Sequence, residues 1–266
     1  MKEFSSNKAR KSILTDRSGV LVTDCDWLSA IWQTLYQSDD RGRITRSRAR
    51  RWGGVPIFQL GRTRHGNLWR VEQGVPGPVA TRLGQLAARE ASLGDSGPPW
   101  APCEREGAIR AVIGPRSTGQ QDCEAIGFRI PEPKRNGVGN PSAPFVNPPR
   151  RPRLDAPIAP LSQNSVDGPK AAGRAVSMEG GELASICEPL VGVASSVTIA
   201  YVETEVRWRR RGHASRALEG WLGRVRQAGG TPIFIADAAR PAAQALAASV
   251  GLEAFAALTF WFSEDR

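Results

Sequence analysis

Residues 196–227 constrain the fold of this chain more than any other segment. Residues 196–206 are rich in Val, Ile and Thr and predict a strand, whereas residues 211–227 carry apolar side chains at helical spacing. The apolar stripe of that helix consists of Ala214, Ala217, Leu218, Trp221, Leu222 and Val225. A strand that passes through a short basic turn into a helix leaves backbone N–H groups and the positive end of the helix dipole free at the turn. Such a turn favours a bound phosphate group.

The turn itself has the spacing Arg-x-x-Gly-x-Ala, formed by Arg209, Gly212 and Ala214. The small residues at the last two positions let a phosphate approach the backbone amides, because no long side chain stands in the way. The same spacing also arises by chance in a chain rich in Arg and Ala, where it marks only an ordinary basic helix start. The turn therefore has to be interpreted together with the elements around it.

The composition favours anionic partners and argues against several kinds of catalytic site. The net charge is +10, and the chain has four cysteines without a C-x-x-C pair and only two histidines. A His-based zinc site or a Ser-His-Asp triad is therefore not expected. The first residues lack the apolar segment of a secretory signal, and no window approaches the roughly 18 apolar residues of a membrane span. We expect a cytoplasmic protein with free thiols, without a metal ion or a membrane segment.

The distribution of proline divides the chain into three predicted regions. Of the 20 prolines, 14 lie in residues 96–170, which predicts loops and extended segments there. Residues 1–95 predict a small accessory α/β module. Its elements are a helix capped by Asp24, a hairpin of residues 55–60 and 67–71, and a helix from Pro76. The proline-rich region contains three apolar islands, of which one or two are predicted strands: residues 108–113, 125–128 and 143–146.

The third region, residues 171–266, has the clearest pattern. A hairpin around residues 179–181 precedes the strand and helix described above. A strand at residues 231–236, a helix capped by Asp237 and a strand at residues 255–262 follow. The order β-β-β-α-β-α-β predicts a mixed sheet with two crossover helices.

This order resembles the GNAT superfamily of N-acetyltransferases, in which such a turn cradles the pyrophosphate of acetyl-CoA. Several pieces resemble a bacterial branch of that superfamily, and one resembles an N-terminal extension found in some members. They are residues 184–187, 202–204, 208–214 and 143–148, with residues 61–70 for the extension. The resemblance implies an α/β (α+β) fold with a mixed, mostly antiparallel twisted sheet flanked by helices, a small N-terminal accessory module, and acetyl-CoA as the cosubstrate.

The resemblance also implies roles for individual positions. The backbone amides of residues 210–215 would hold the pyrophosphate, and the backbone groups of Val202 and Thr204 would pair with the pantetheine arm. Arg210 and Arg211 would reach phosphate groups or, equally well, belong to a solvated basic face. The implied cofactor-binding set is Val202, Thr204, Arg209, Arg210, Arg211, Gly212, His213, Ala214, Ser215 and Arg240.

Acetyl transfer requires an unprotonated amine. A lysine-type amine has a pKa of about 10.4 and is protonated at neutral pH, so a base is needed. Glu203, which shares a face of the predicted strand with Tyr201, is the candidate catalytic base. The alternative is a strand carboxylate that pairs with an arginine.

Three positions depart from the pattern of the family. Phe255 stands where a proton-donating tyrosine is common, Ala243 where the branch has serine, and Arg240 where it has asparagine. Phenylalanine has no proton to donate, so Ser185 or Cys187 would have to replace it, or turnover would be slow.

Three hypotheses of function follow. The first is an N-acetyltransferase that acts on a small-molecule or peptide amine, and the second is a catalytically weak or inactive GNAT scaffold that binds CoA or serves as a binding or regulatory module. The third is nucleic-acid binding by six arginines in residues 41–51 beside Trp52. Such a run is more often a solvated loop, so nucleic acid is not the expected partner.

Overall fold

The computed structural model describes residues 23–49, 54–94, 102–114, 123–131, 173–191 and 197–262. The helices in these ranges are α1 (Asp24–Leu35), α2 (Gly77–Ala88), α3 (Glu106–Ile113), α4 (His213–Gln227) and α5 (Pro241–Ser249), with one 3-10 turn at Val206–Trp208. The strands are β1 (Tyr36–Ser38), β2 (Ile44–Ser47), β3 (Phe58–Thr63), β4 (Gly66–Val71), β5 (Cys123–Arg129), β6 (Ala175–Glu179), β7 (Glu182–Pro189), β8 (Val197–Thr204), β9 (Thr231–Asp237) and β10 (Glu253–Trp261).

Eight of these strands form one sheet, in the order β4-β3-β10-β5-β9-β8-β7-β6. Neighbouring strands in it are antiparallel except for β8 and β9, which run parallel. Strands β1 and β2 form a separate antiparallel pair. The sheet is therefore mixed and mostly antiparallel, with helices packed against it, which confirms the fold class expected from the sequence.

Alternate residues of β9 show how the helices cover the two faces of the sheet. Ile233 and Ile235 pack in a buried cluster with Leu28 of α1, and we call this side the α1 face. Phe234 and Ala236 pack with Trp221 of α4 on the opposite side, the α4 face. This alternation is the period of two that a strand buried on both sides requires.

The hairpin of β3 and β4 extends the same sheet as the later strands. Every residue of β3 pairs with β10, from Phe58 opposite Trp261 to Thr63 opposite Ala256. Phe58 and Trp261 also belong to a third buried cluster, in which they pack against residues of α2. The predicted hairpin is thus confirmed, and the division into regions 1–95, 96–170 and 171–266 stays a prediction.

The predicted role of Asp24 as a helix cap is wrong. The N-cap of α1 is Thr23, whose side chain accepts from the backbone N–H of Asp26, while the Asp26 carboxylate accepts in return. The carboxylate of Asp24 is fully buried and lies 2.6 Å from Arg129 Nη1 and 2.8 Å from Arg64 Nε. Asp24 is therefore neutralised by distant arginines rather than by the helix start.

Of the three apolar islands, residues 108–113 belong to helix α3, which an ion pair between Arg110 and Glu106 one turn apart supports, at 2.6 Å. One other local prediction is wrong. Asp237 does not cap α5, because the N-cap is Arg240 and the Asp237 carboxylate accepts from Ala239 N at 2.9 Å in the preceding turn. The predicted strand at residues 125–128 is confirmed as part of β5. The predicted strand at 143–146 lies outside the described residues.

No helix among the described residues is long and apolar enough to cross a membrane.

Candidate functional site

The parallel strands β8 and β9 separate halfway along their length. They pair from Val197 opposite Thr231 to Ala200 opposite Phe234, and the register then ends. Each strand nevertheless stays paired on its outer side, since β8 continues along β7 to Thr204 and β9 continues along β5 to Asp237. The sheet therefore stays intact on both sides of a wedge-shaped gap.

The backbone of Val202 and Thr204 faces this gap. Ile199 O accepts from Leu190 N at 2.8 Å, and Glu205 N donates to Ala184 O at 3.0 Å, so both residues direct a backbone group toward the β7 side. Backbone groups along a strand point alternately to its two sides. The odd-numbered residues from 199 to 205 therefore face β7, and the even-numbered residues, including 202 and 204, direct their N–H and C=O groups toward β9, where the pairing has ended.

The gap opens into a groove of about 1220 Å³. The end of β8 and the basic turn line one side, and the end of β9 with the alanine-rich helix α5 lines the other. Tyr201 and Ile235 line it on the α1 face, whereas Phe234 and Ala236 line it on the α4 face. The groove therefore connects the two faces of the sheet through the gap.

The basic turn lies at the α4 face end of this groove. Its Gly212 is the N-cap of α4 and has a left-handed backbone, with φ of +78°. Arg210 also has a positive φ of 63°. No side chain caps the first turn of α4, and that turn contains no acidic residue. The leading N–H groups of a 15-residue helix thus face a groove next to exposed arginines.

Aromatic and charged side chains order the arginines around the turn. The guanidinium of Arg211 lies 5.0 Å from the centre of the Trp208 ring, and that of Arg207 lies 5.4 Å from it. Arg207 also pairs with Glu182 at 2.6 Å. Arg240 lies at the opposite lip of the groove, highly exposed, and pairs with Asp237 at 3.1 Å. Arg209 Nε donates to Thr204 O at 3.4 Å and so joins the turn to the end of β8.

His213 contributes its backbone to the turn but not its side chain to the groove. The imidazole is buried, and its Nδ1 lies 2.9 Å from Ser177 Oγ and 2.8 Å from Arg216 Nη2. Its Nε2 is 3.7 Å from a carboxylate oxygen of Glu179. Burial lowers the pKa of His213, and the nearby positive charge of Arg216 lowers it further. The side chain anchors α4 to β6.

The predicted base Glu203 lies on the α1 face side of the gap. Its carboxylate is exposed, and it accepts a hydrogen bond from Tyr201 OH at 3.4 Å. Both residues line the groove. The contact with a neighbouring tyrosine differs from the arginine pair that the alternative interpretation expected for this residue.

The structure places Phe255 and the two candidate proton donors, Ser185 and Cys187, differently. Phe255 is buried against Trp27, with ring centres 6.3 Å apart. Cys187 is also buried, and burial raises the pKa of its thiol. Ser185 lies close to the groove, since its hydroxyl donates to Glu203 O and lies 2.9 Å from Thr204 Oγ1. Cys187 is therefore not placed to protonate a group in the groove.

Sequence reasoning missed several groove residues. Cys123 lies at the start of β5 and lines the groove because β5 neighbours β9, a pairing that nothing local predicts. Ser249 lies 2.9 Å from Ser215 through their hydroxyls and links the end of α5 to the first turn of α4. Ala243, noted only as a departure, forms part of the groove wall. Trp208, adjacent to the basic turn, was the one residue that a local signal could have identified.

The remaining features lie away from the groove. In the arginine-rich segment, Arg43 Nη1 donates to Val75 O at 2.8 Å, and residues 50–52 lie outside the described part of the chain. Within the described ranges, no cluster of His, Cys, Asp and Glu has the arrangement of a metal site.

No protein-family model and no curated protein matches this chain. Among solved structures, it is similar to an acetyltransferase of the GNAT family from Colwellia psychrerythraea, with 18% identity over 34% of this chain and 35% of that one and a TM-score of 0.31. A GNAT-family protein from Novosphingobium aromaticivorans has 16% identity over 53% of this chain and 64% of its own, at a TM-score of 0.32. A GCN5-related N-acetyltransferase-like protein from Streptococcus suis has 18% identity over 32% and 34%, at a TM-score of 0.27. The chain thus spans less than two thirds of each of these structures.

Proposed function

We propose that this chain is an N-acetyltransferase that transfers the acetyl group of acetyl-CoA to a small-molecule or peptide amine. One observation carries the proposal. The uncapped start of α4 and the unpaired backbone of β8 lie along a single groove, which then passes through the sheet. Such a groove suits a ligand with a phosphate at one end, an extended amide-containing arm and a reactive group at the other end.

The turn supplies the donors that a pyrophosphate needs. The backbone N–H groups of residues 210–215 would hold it, and the glycine at 212 allows the left-handed backbone of the turn. The helix dipole contributes about 0.3–1 kcal/mol in an exposed setting. Arg210 and Arg211 add positive charge at the same end of the groove. Arg240 lines the opposite side of the groove, where it pairs with Asp237.

The open edge of β8 suits an arm with peptide-like amides. Such an arm can add to a strand whose N–H and C=O groups are unpaired, as peptides do when they extend a sheet. The N–H and C=O of Val202 and the N–H of Thr204 would provide these groups. The carbonyl of Thr204 accepts from Arg209 Nε and that of Glu203 accepts from Ser185 Oγ, and these bonds fix the end of the strand. A bound arm would then be directed from the α4 face into the gap.

Acetyl-CoA would supply an acetyl thioester as the group that an amine attacks. The work of the chain is to hold that group in the gap and to take a proton from the amine. Glu203 would accept the proton, directly or through water, from an amine that approaches on the α1 face. Tyr201 orients the carboxylate of Glu203 through its hydroxyl.

A thermal-shift measurement tests the cofactor part of the proposal. Coenzyme A should raise the melting temperature, because a ligand at 100 times its Kd stabilises the folded state by about 2.7 kcal/mol. Gly212→Asp should abolish the shift, since it adds a negative charge at the start of α4, next to the N–H groups that would hold the pyrophosphate. Gly229→Asp is the matched control, because Gly229 has a similar φ of +76° and open space around it at the other end of α4. If millimolar coenzyme A leaves the melting temperature of the wild-type protein unchanged, the proposal fails.

A specific observation favours the second candidate, a scaffold that binds CoA without efficient catalysis. Phe255 has no proton to donate, and of the two candidate donors Cys187 is buried in the core, so only Ser185 lies beside the groove. An assay of acetyl-CoA consumption with aminoglycosides, polyamines, amino acids and peptides separates the two candidates. Turnover that Glu203→Gln lowers at least tenfold supports the enzyme, whereas CoA binding without turnover of any acceptor supports the scaffold.

A further inference from the structure

We propose that Arg216 is a positioning residue that sets the shape of the basic turn, and that it does so only while His213 is uncharged. The inference rests on the proposed function, since the turn is where that function places the pyrophosphate. Arg216 lies one turn into α4, and its own charge points to the back of the basic turn rather than into the groove.

The guanidinium of Arg216 connects three parts of the molecule. Its Nε donates to Ser177 Oγ on β6 at 3.2 Å, and its Nη2 donates to His213 Nδ1 at 2.8 Å. Its Nη1 donates to Arg211 O at 3.5 Å. The same Nη1 would lie 3.4 Å from a Cβ at Gly212. The guanidinium of Arg216 therefore connects the basic turn to strand β6 and to the first turn of α4.

The contact with the Arg211 carbonyl fixes the orientation of the next amide. In a planar trans peptide, the C=O of one residue and the N–H of the next point in opposite directions. A carbonyl held toward Arg216 therefore directs the N–H of Gly212 away from Arg216, and Gly212 lines the groove. Arg216 thus adds to the contacts of Arg209 with Thr204 O and of Arg211 with the Trp208 ring, and it acts on the peptide that carries the N–H of Gly212.

This arrangement requires a neutral imidazole. Arginine has only donors, so Nδ1 of His213 must accept and the ring proton must lie on Nε2, which faces Glu179. The groups around the ring are Ser177 and Glu179 of β6, Trp208 in the 3-10 turn, Arg211 and Arg216. Protonation of Nδ1 would remove the acceptor and set a positive charge against two guanidinium groups. The ring would then displace Arg216 and release the turn.

Two arginines on the same helix give a matched test. Arg216→Gln should weaken coenzyme A binding about tenfold, which corresponds to about 1.4 kcal/mol, because the turn loses the side chain that orients the N–H of Gly212. Arg226→Gln removes the same charge from an exposed position at the far end of α4 and should change the affinity less than about twofold. Calorimetric titration with coenzyme A at pH 7.5 measures both. Equal affinities for the two variants would overturn the proposal.

Hydrogen exchange in the ligand-free protein gives a readout that needs no cofactor. Arg216→Gln should speed the exchange of the hydrogen-bonded amides at the two ends of the turn, those of residues 209 and 216, whereas Arg226→Gln should not. If coenzyme A does not bind the wild-type protein but this difference in exchange is present, the proposed function fails and the positioning role stands. If coenzyme A binds equally to both variants and exchange is unchanged, the positioning role fails and the proposed function stands.

The histidine part has its own pair of variants. His213→Asn keeps an acceptor at the position of Nδ1 without a titrating group, and His213→Leu removes the acceptor. The affinity of the wild-type protein should fall as the pH drops from 7.5 to 5.5, that of His213→Asn should change much less, and His213→Leu should bind weakly at both values. Melting temperatures confirm that each variant is folded. Parallel pH profiles for the wild-type protein and His213→Asn would overturn this part.

Discussion

The N-termini of α1 and α4 differ in whether a side chain caps their free backbone N–H groups. At α1, Thr23 and Asp26 form a capping box, and two acidic residues lie in the first turn. At α4, the cap is a glycine without a side-chain bond, the first turn has no acidic residue, and arginines precede it. The first helix start satisfies its own donors, whereas the second leaves them open to the groove. Under the proposed function, the missing side-chain cap is what makes the second helix start an anion site.

The largest effect expected from this comparison is at Asp24, in the first turn of α1. Asp24→Asn should lower the free energy of unfolding by about 3–5 kcal/mol, because it leaves Arg129 and Arg64 without their buried counter-charge. Urea unfolding measures the change. Glu253→Gln is the control, since it removes the exposed partner of the same Arg64 and should cost less than about 1 kcal/mol. If both variants lowered the free energy of unfolding by a similar amount, the burial of Asp24 would not be the reason for its effect on stability.

The capping box predicts a smaller effect that separates the two helix starts. Thr23→Ala should lower the free energy of unfolding by about 1 kcal/mol, because the N–H of Asp26 loses its side-chain acceptor. The thermal shift with coenzyme A should be the same as in the wild-type protein. Gly212→Asp should lose the shift, with a loss of stability similar to that of Gly229→Asp, because both glycines have a left-handed φ that strains any other residue. If Thr23→Ala reduced the shift as well, the two helix starts would not be independent.

The sequence predicted the second helix start better than the first. The strand, the turn and the helix of residues 197–227 are adjacent along the chain, so period and glycine position were sufficient to place them. Asp24 was misassigned because its partner Arg129 lies on β5, far along the chain. A short acidic residue before an apolar helix has the same local pattern whether it caps the helix or pairs with a distant arginine.

The candidate site was predictable only in its local half. The separation of β8 and β9 depends on which strands pair on their outer sides, and that pairing joins residues more than 100 positions apart, such as Ala125 and Asp237. The contacts of His213 with Ser177 and Arg216 depend on the same sheet. Nothing in the sequence of this glycine-containing turn indicates that the side chain of His213 is buried.

The smallest effect concerns the pH dependence of stability at the start of α4. The pKa of His213 is lowered from 6.5 in the folded protein, so at and below that pH the unfolded chain binds more protons than the folded one. Stability should therefore decrease as the pH falls through this range, and it should be unaffected at higher pH. His213→Asn has no imidazole to titrate. Its free energy of unfolding relative to that of the wild-type protein should therefore rise as the pH is lowered from 7.5 to 5.5. Carboxylates that titrate in both proteins cancel in the difference, and a difference that does not change with pH would show that the imidazole is not held neutral.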